Sequence, residues 1–196
     1  MEDRVAVVNR TTSETTVKLS LNLDGDGKQD IDSGVPFLDH MLNLWTKHGF
    51  FNLALSAQGD VEIDDHHTVE DIGICLGKAL QQALGSKAGI SRYGTSFVPM
   101  DEALVMVSLD ISGRAYLALE MNLPSARVGN FDTELVEEFL RAVADNAGIT
   151  LHVRMLAGRN THHIIEALFK AFGRALREAV SIDPQIKGVL STKGQL

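Results

Sequence analysis

The chain has 196 residues, 44 % hydrophobic and 22 % charged, with a formal net charge of −8; it is long enough to bury roughly 70 % of its unfolded surface, and its acidity argues against a nucleic-acid partner. Its one cysteine, Cys75, excludes an intrachain disulfide and a cysteine-type zinc site. The polar start MEDRVAVVNRTTSE has no apolar signal core, and no apolar run approaches the ~20 residues of a membrane span, so a soluble cytoplasmic protein is expected.

The elements are expected in the following order. Val17, Leu19, Leu21 and Leu23 alternate with polar residues, as in a half-buried antiparallel strand. FLDHMLNLWTKHG, Phe37 to Gly49, has helical spacing and ends at a glycine. HHTVEDIGICLGKALQQAL from His66 reads as a second helix, and its Thr68-to-Asp71 stretch fits a capping box. KAGIS, ending at Ser91, breaks the helical pattern and divides the chain into halves 1–90 and 91–196.

The second half repeats this order. SLDISG (Ser108 to Gly113) is similar to SLNLDG (Ser20 to Gly25), with Glu102 matching Glu14 and with Val105, Val107, Leu109 and Ile111 on one face. LVEEFLRAVADNAG (Leu135 to Gly148) is similar to the first helix, with Glu138 matching His40. HHIIEALFKAFGRALREAV from His162 aligns with the segment from His66 without a gap, so that Gly173 matches Gly77 and Leu176 matches Leu80. Leu168, Phe169, Phe172, Leu176 and Val180 form its apolar stripe. The expected architecture is a duplicated α+β fold, with sheets outside, helices packed between them, and both halves in one compact unit.

The repeat also points to metal. His66 and Glu70 are four residues apart, as are His162 and Glu166, so each pair shares a helix face. Imidazole with carboxylate suits zinc, manganese, iron or nickel. The neighbours His67 and His163 point about 100° away around the helix and can serve a second ion. Cross-pairing through a pseudo-twofold gives two equivalent sites, one of His66, Glu70, His163 and Glu138, the other of His162, Glu166, His67 and His40. One such pair alone would be ordinary polar surface; two with the same downstream glutamate are not. A dinuclear metallohydrolase and a non-catalytic metal store are the rival readings of such a cluster.

GVPFLDHML, DDHHTVEDIGICLG, RYG, MDEAL, SGRAYL, HHIIEALFKAFGRALREA and STKG together resemble the imidazoleglycerol-phosphate dehydratase family over essentially the whole chain. The resemblance implies a lyase of histidine biosynthesis that converts imidazole glycerol phosphate to imidazole acetol phosphate and water. It further implies halves of the ribosomal protein S5 domain 2 kind, two Mn²⁺ ions per active site, and a 24-mer whose active sites form between subunits. It places metal ligands on His40, His66, His67, Glu70, His162, His163 and Glu166. A histidine often stands in the family where this chain has Glu138, so Glu138 is expected to substitute as ligand or to leave a water there. Glu14 falls in the substrate site as proton carrier, in a catalytic set with His67 and Glu166. Arg92, Arg114, Lys170, Ser191, Thr192 and Lys193 fall around the substrate phosphate, a role that suits guanidinium forks, ammonium charge and hydroxyls. His152 is expected to be a structural strand histidine, and His48 has no assigned role.

The chemistry calls for such a set. The proton to be removed sits on a carbon bearing a hydroxyl, not beside a carbonyl, and is poorly acidic, so a simple general base would not suffice. Loss of the ring N–H instead gives an imidazolate that can expel the side-chain hydroxide through a diazafulvene. A Lewis-acidic ion on each ring nitrogen would stabilise it.

Overall fold

The computed structural model describes residues 4–196. The first set of elements is β1 (Val5–Thr11), β2 (Thr15–Asn22), β3 (Gln29–Asp32), α1 (Pro36–Gly49), β4 (Asn52–Gly59) and α2 (His66–Leu84). The second is β5 (Tyr93–Met100), β6 (Ala103–Asp110), β7 (Tyr116–Glu120), β8 (Arg127–Val128), β9 (Phe131–Asp132), α3 (Leu135–Ala147), β10 (Thr150–Ala157) and α4 (Thr161–Val180). Two four-stranded sheets result, ordered β1-β2-β4-β3 and β5-β6-β10-β7. Each has an antiparallel hairpin, a third strand antiparallel to the hairpin's inner strand, and a parallel edge strand. The duplication is therefore topological as well as sequential. The small β8–β9 hairpin is an insertion confined to the second set.

Alternation decides which sheet face turns inward. Val17, Leu19, Leu21 and Leu23 of the first sheet region are buried, as are Val105, Val107, Leu109 and Ile111 of the second. The helices lie against these faces, and the α4 stripe from Leu168 to Val180 is buried throughout. No helix among the described residues is long and apolar enough to cross a membrane.

The helices pair across the repeat, α1 with α4 and α2 with α3. The matched glycines explain how closely they approach. A Cβ on Gly173 would lie 2.4 Å from the Trp45 carbonyl oxygen, and one on Gly77 would lie 2.8 Å from that of Val143. Gly73 lies against Phe139 and Gly77 against Val143, so paired helices run in the same direction. Their N-terminal ends therefore meet, and those ends carry the histidines.

Two local expectations need correction. The Thr68-to-Asp71 stretch does not cap α2. The helix begins at His66, whose N–H donates to Asp64 Oδ1 at 2.8 Å, while Thr68 and Asp71 are buried within it. Asp71 instead accepts from Arg10 Nε at 2.8 Å and from the Thr15 hydroxyl, tying the β1–β2 turn to α2. At the end of α1 the left-handed residue is Phe50, with φ 55°, rather than Gly49. Gly49 is needed for contact, since a Cβ there would lie 3.1 Å from the Gly173 carbonyl oxygen.

Candidate metal centre and basic pocket

The start of α4 is built by its cap. The Asn160 side chain accepts the N–H groups of His162 and His163 at 3.0 and 3.3 Å, which satisfies two of the helix's unpaired donors and holds both histidines in the first turn. One turn on, Glu166 Oε2 lies 3.3 Å from His162 Nε2 and 3.4 Å from His40 Nε2 of α1. Ligand atoms of these three residues all lie within 4.8 Å of one another. Glu166 is buried, and Lys170 Nζ donates to its Oε1 at 2.6 Å. Burial pushes its carboxyl up, but the Lys170 bond and charge outweigh this and, with His162, hold it below the usual carboxylate range. Two imidazoles and an ionised carboxylate at this spacing are a fitting donor set for a divalent ion such as manganese.

The matching residues His66, Glu70 and Glu138 do not converge to that spacing among the described residues. Nor do His67 and His163 join the cluster. The His66 and His67 rings stand 85° apart with centroids at 6.1 Å, and those of His162 and His163 stand 85° apart at 6.3 Å. His67 Nδ1 meets Asp60 Oδ2 at 2.9 Å and His163 Nδ1 meets Glu102 Oε2 at 2.8 Å. Those bonds raise both imidazole pKa values. The His163 bond, reinforced by the N–H groups of Asn160 and Arg159, lowers the Glu102 carboxyl to about 2. Within one chain, among the described residues, His40, His162 and Glu166 come together, and the four-residue sets of the cross-pairing are not completed there.

Glu14 sits in the turn between β1 and β2 rather than in a strand. The Thr12 hydroxyl accepts the N–H groups of Glu14 and Thr15 at 3.1 and 3.0 Å, closing the turn. The Glu14 carboxylate is half-exposed and 3.9 Å from His67 Nδ1.

Arg92, Arg114, Ser191, Thr192 and Lys193 line one open cavity of about 950 Å³. Arg92 grips Asp110 through two bonds of 2.7 and 3.1 Å and donates to the Leu190 carbonyl at 2.6 Å. Arg114 is exposed, 4.0 Å from the same Asp110. The Ser191 hydroxyl accepts the Lys193 N–H at 3.2 Å, so STKG is an ordered turn. Lys87, which sequence reasoning passed over, belongs to this neighbourhood: burial and then the Arg92 charge push its ammonium down. Lys170 is not in this cavity; it stays with Glu166. The Arg92 N–H bonds to Ala179 near the far end of α4, and thirteen residues of helix at ~1.5 Å each put the cavity roughly 20 Å from Glu166. His152 lies exposed on β10, its ring centroid 6.0 Å from that of Tyr116. Burial, with Lys170 and Arg174, pushes the His48 imidazole down.

Fold and site define a class: a duplicated α+β protein with a histidine–carboxylate cluster suited to a metal ion and a separate basic pocket. The sequence matches the family model described as imidazoleglycerol-phosphate dehydratase over residues 33–176. It is 63 % identical over 194 residues to the imidazoleglycerol-phosphate dehydratase of Acetivibrio thermocellus, covering 99 % of this chain and 100 % of that one. It is 60 % identical over 196 residues to that of Clostridium botulinum, with complete coverage of both. The solved structure of the Staphylococcus aureus enzyme superposes with TM-score 0.84 at 46 % identity, covering 91 % of this chain and 99 % of that one. That of the Pyrococcus furiosus enzyme gives TM-score 0.84 at 36 % identity, covering 96 % and 100 %. The chain belongs to the imidazoleglycerol-phosphate dehydratase family, whose members are carbon–oxygen lyases.

Proposed function

We propose that this chain dehydrates imidazole glycerol phosphate to imidazole acetol phosphate in the cytoplasm, using two manganese ions per site, in a 24-mer whose sites are shared between subunits. The observation that carries the reading is the convergence of His40, His162 and Glu166 in a chain of this family. His66, His67, Glu70, His163 and Glu138 would complete the metal ligands from other copies of the chain.

The separation along α4 supports shared sites. The imidazole and phosphate of the substrate are joined by a three-carbon chain, roughly 8 Å end to end from single-bond lengths. One chain's metal cluster and its own basic cavity, roughly 20 Å apart by helix rise, are too distant for one substrate molecule.

Arg92, Arg114, Ser191, Thr192 and Lys193 of one copy hold the phosphate. Arg114, whose guanidinium is exposed, supplies a planar fork, and Lys193 supplies point charge. Lys170, beside Glu166 of a second copy, meets the same phosphate from the metal side. Manganese, when bound, supplies the Lewis acidity that makes the ring N–H acidic enough to depart and lets the ring expel hydroxide through a diazafulvene. Glu14 takes the proton from the carbinol carbon, its carboxylate standing 3.9 Å from a ligand histidine. The ring proton and the hydroxide leave as water, the proton taken by Glu14 returns to the ring nitrogen, and the enol that remains shifts to the ketone.

The test is turnover of imidazole glycerol phosphate by the metal-loaded protein. Ketone product should appear with Mn²⁺, vanish with EDTA and return on restoring Mn²⁺. Bound Mn²⁺ with no product would overturn the proposal.

A further inference from the structure

His67 and His163 occupy matching places in the repeat, yet a different carboxylate stands behind each. Asp60 Oδ2 is 2.9 Å from His67 Nδ1, and Glu102 Oε2 is 2.8 Å from His163 Nδ1. A carboxylate only accepts, so in each pair Nδ1 carries the hydrogen and the neutral ring keeps its lone pair on Nε2. That tautomer can bind a metal through Nε2, and the carboxylate behind it fixes the ring plane and strengthens the nitrogen as a donor. His163 Nε2 faces the exposed Asp101, 3.8 Å away.

The two carboxylates are not equivalents of each other. Glu102 immediately precedes β6, and its equivalent immediately preceding β2 is Glu14. Asp60 immediately follows β4, and its equivalent immediately following β10 is Gly158. A Cβ on Gly158 would lie 2.6 Å from Ile164 Cγ1 and 3.3 Å from Ala103 Cβ. No aspartate fits there, so the second half uses Glu102. The other oxygen of Glu102 accepts the N–H groups of Asn160 and Arg159 at 2.7 and 3.2 Å, which locks it in place. In the first half Asp60 occupies His67 Nδ1, and Glu14 stands off at 3.9 Å.

We infer that Asp60 and Glu102 are positioning residues, each holding its histidine so that Nε2 is offered to a divalent ion. The orienting task has moved from the Glu14 position to Asp60, which releases Glu14 for proton transfer. The inference rests on the metal-dependent reading above and adds a division of labour between the halves.

The experiment is titration of Mn²⁺ into metal-free full-length protein, with unbound Mn²⁺ read by electron paramagnetic resonance. In Asp60→Asn or Glu102→Gln the amide can turn its NH₂ toward Nδ1, so selection of the tautomer is lost. Each variant should weaken one class of Mn²⁺ site by about 10- to 100-fold, the range for outer-shell partners of metal-binding histidines. Asp60→Glu, which keeps the carboxylate, should recover most of that affinity, a rescue that a packing role would not give. Glu14→Gln should bind Mn²⁺ like the wild type. Unchanged affinity in both Asp60→Asn and Glu102→Gln, with wild-type binding intact, overturns the inference alone. Equal weakening in Glu14→Gln overturns the division of labour. A wild-type chain that binds no Mn²⁺ overturns the metal-dependent reading along with the inference. The two amide variants lie in different halves, so if one fails to fold the other still decides.

Discussion

Gly173→Ala tests whether helix contact places the histidines. The new methyl carbon would lie 2.4 Å from the Trp45 carbonyl oxygen and 3.1 Å from the Gly49 nitrogen. Both are backbone atoms, so α1 must withdraw from α4 by about 1 Å to reach ordinary contact near 3.5 Å. Overpacking of this kind costs about 1–3 kcal/mol, and a clash with backbone falls at the upper end. Replacing glycine within a helix returns about 1 kcal/mol of propensity. The net loss should be about 2 kcal/mol, or about 6 °C in Tm for a chain of this size. The same withdrawal carries His40 from Glu166, now 3.4 Å away, so turnover per folded molecule should fall as well. Gly77→Ala meets Val143 at 2.8 Å, a shallower clash, and should cost about 1 kcal/mol. Calorimetry of the metal-free proteins with a turnover assay makes the comparison. A Gly173→Ala protein as stable as wild type would show that the helices are not held apart by backbone contact, and the reasoning would fall.

Two further outcomes are expected. Asp71→Ala removes the acceptor that ties Arg10 and Thr15 to α2. With Arg10 one-third exposed, the loss should be about 2 kcal/mol by urea unfolding, and turnover should drop further because the turn carrying Glu14 loses its anchor; full activity in a folded variant would contradict this. The Glu102 carboxyl, held at about 2 against an ordinary 4.5, contributes stability above the ordinary value and loses it as pH falls from 4.5 to about 2. The urea midpoint of wild type should therefore fall more steeply over that window than that of Glu102→Gln, and parallel curves would remove Glu102 from the acid response.

Much of this was legible because it is periodic. Strand alternation identifies the inward faces at Val17 to Leu23 and Val105 to Ile111, and the gapless match of the two HH segments makes the duplication visible in the sequence itself. It even paired Gly77 with Gly173, although spacing alone does not say that these are contact points between helices of opposite halves. What escaped has no period. Edge strands β3 and β7 are short, and their pairing depends on β4 and β10. Asp60 finds His67 only after a loop folds back, and its repeat partner is a glycine, so alignment conceals the role. Asp71 looked like a capping residue because Thr68 precedes it at the right spacing, and burial beside Arg10 decided otherwise. The His40, His162 and Glu166 cluster on α1 and α4 was legible as residue types. Its separation from the basic pocket was not, because it is a property of helix length and of which end each group occupies.

The central claim is that metal ligands of one copy and the basic pocket of another form one dehydratase site. The most direct measurement is subunit complementation. His40→Ala and Arg114→Ala chains, each inactive alone, are unfolded together, refolded as a mixture with Mn²⁺, and assayed for ketone product. Random co-assembly leaves about a quarter of shared sites with both parts intact, so the mixture should recover about that fraction of wild-type turnover. A mixture that assembles and binds Mn²⁺ yet stays inactive would contradict the account.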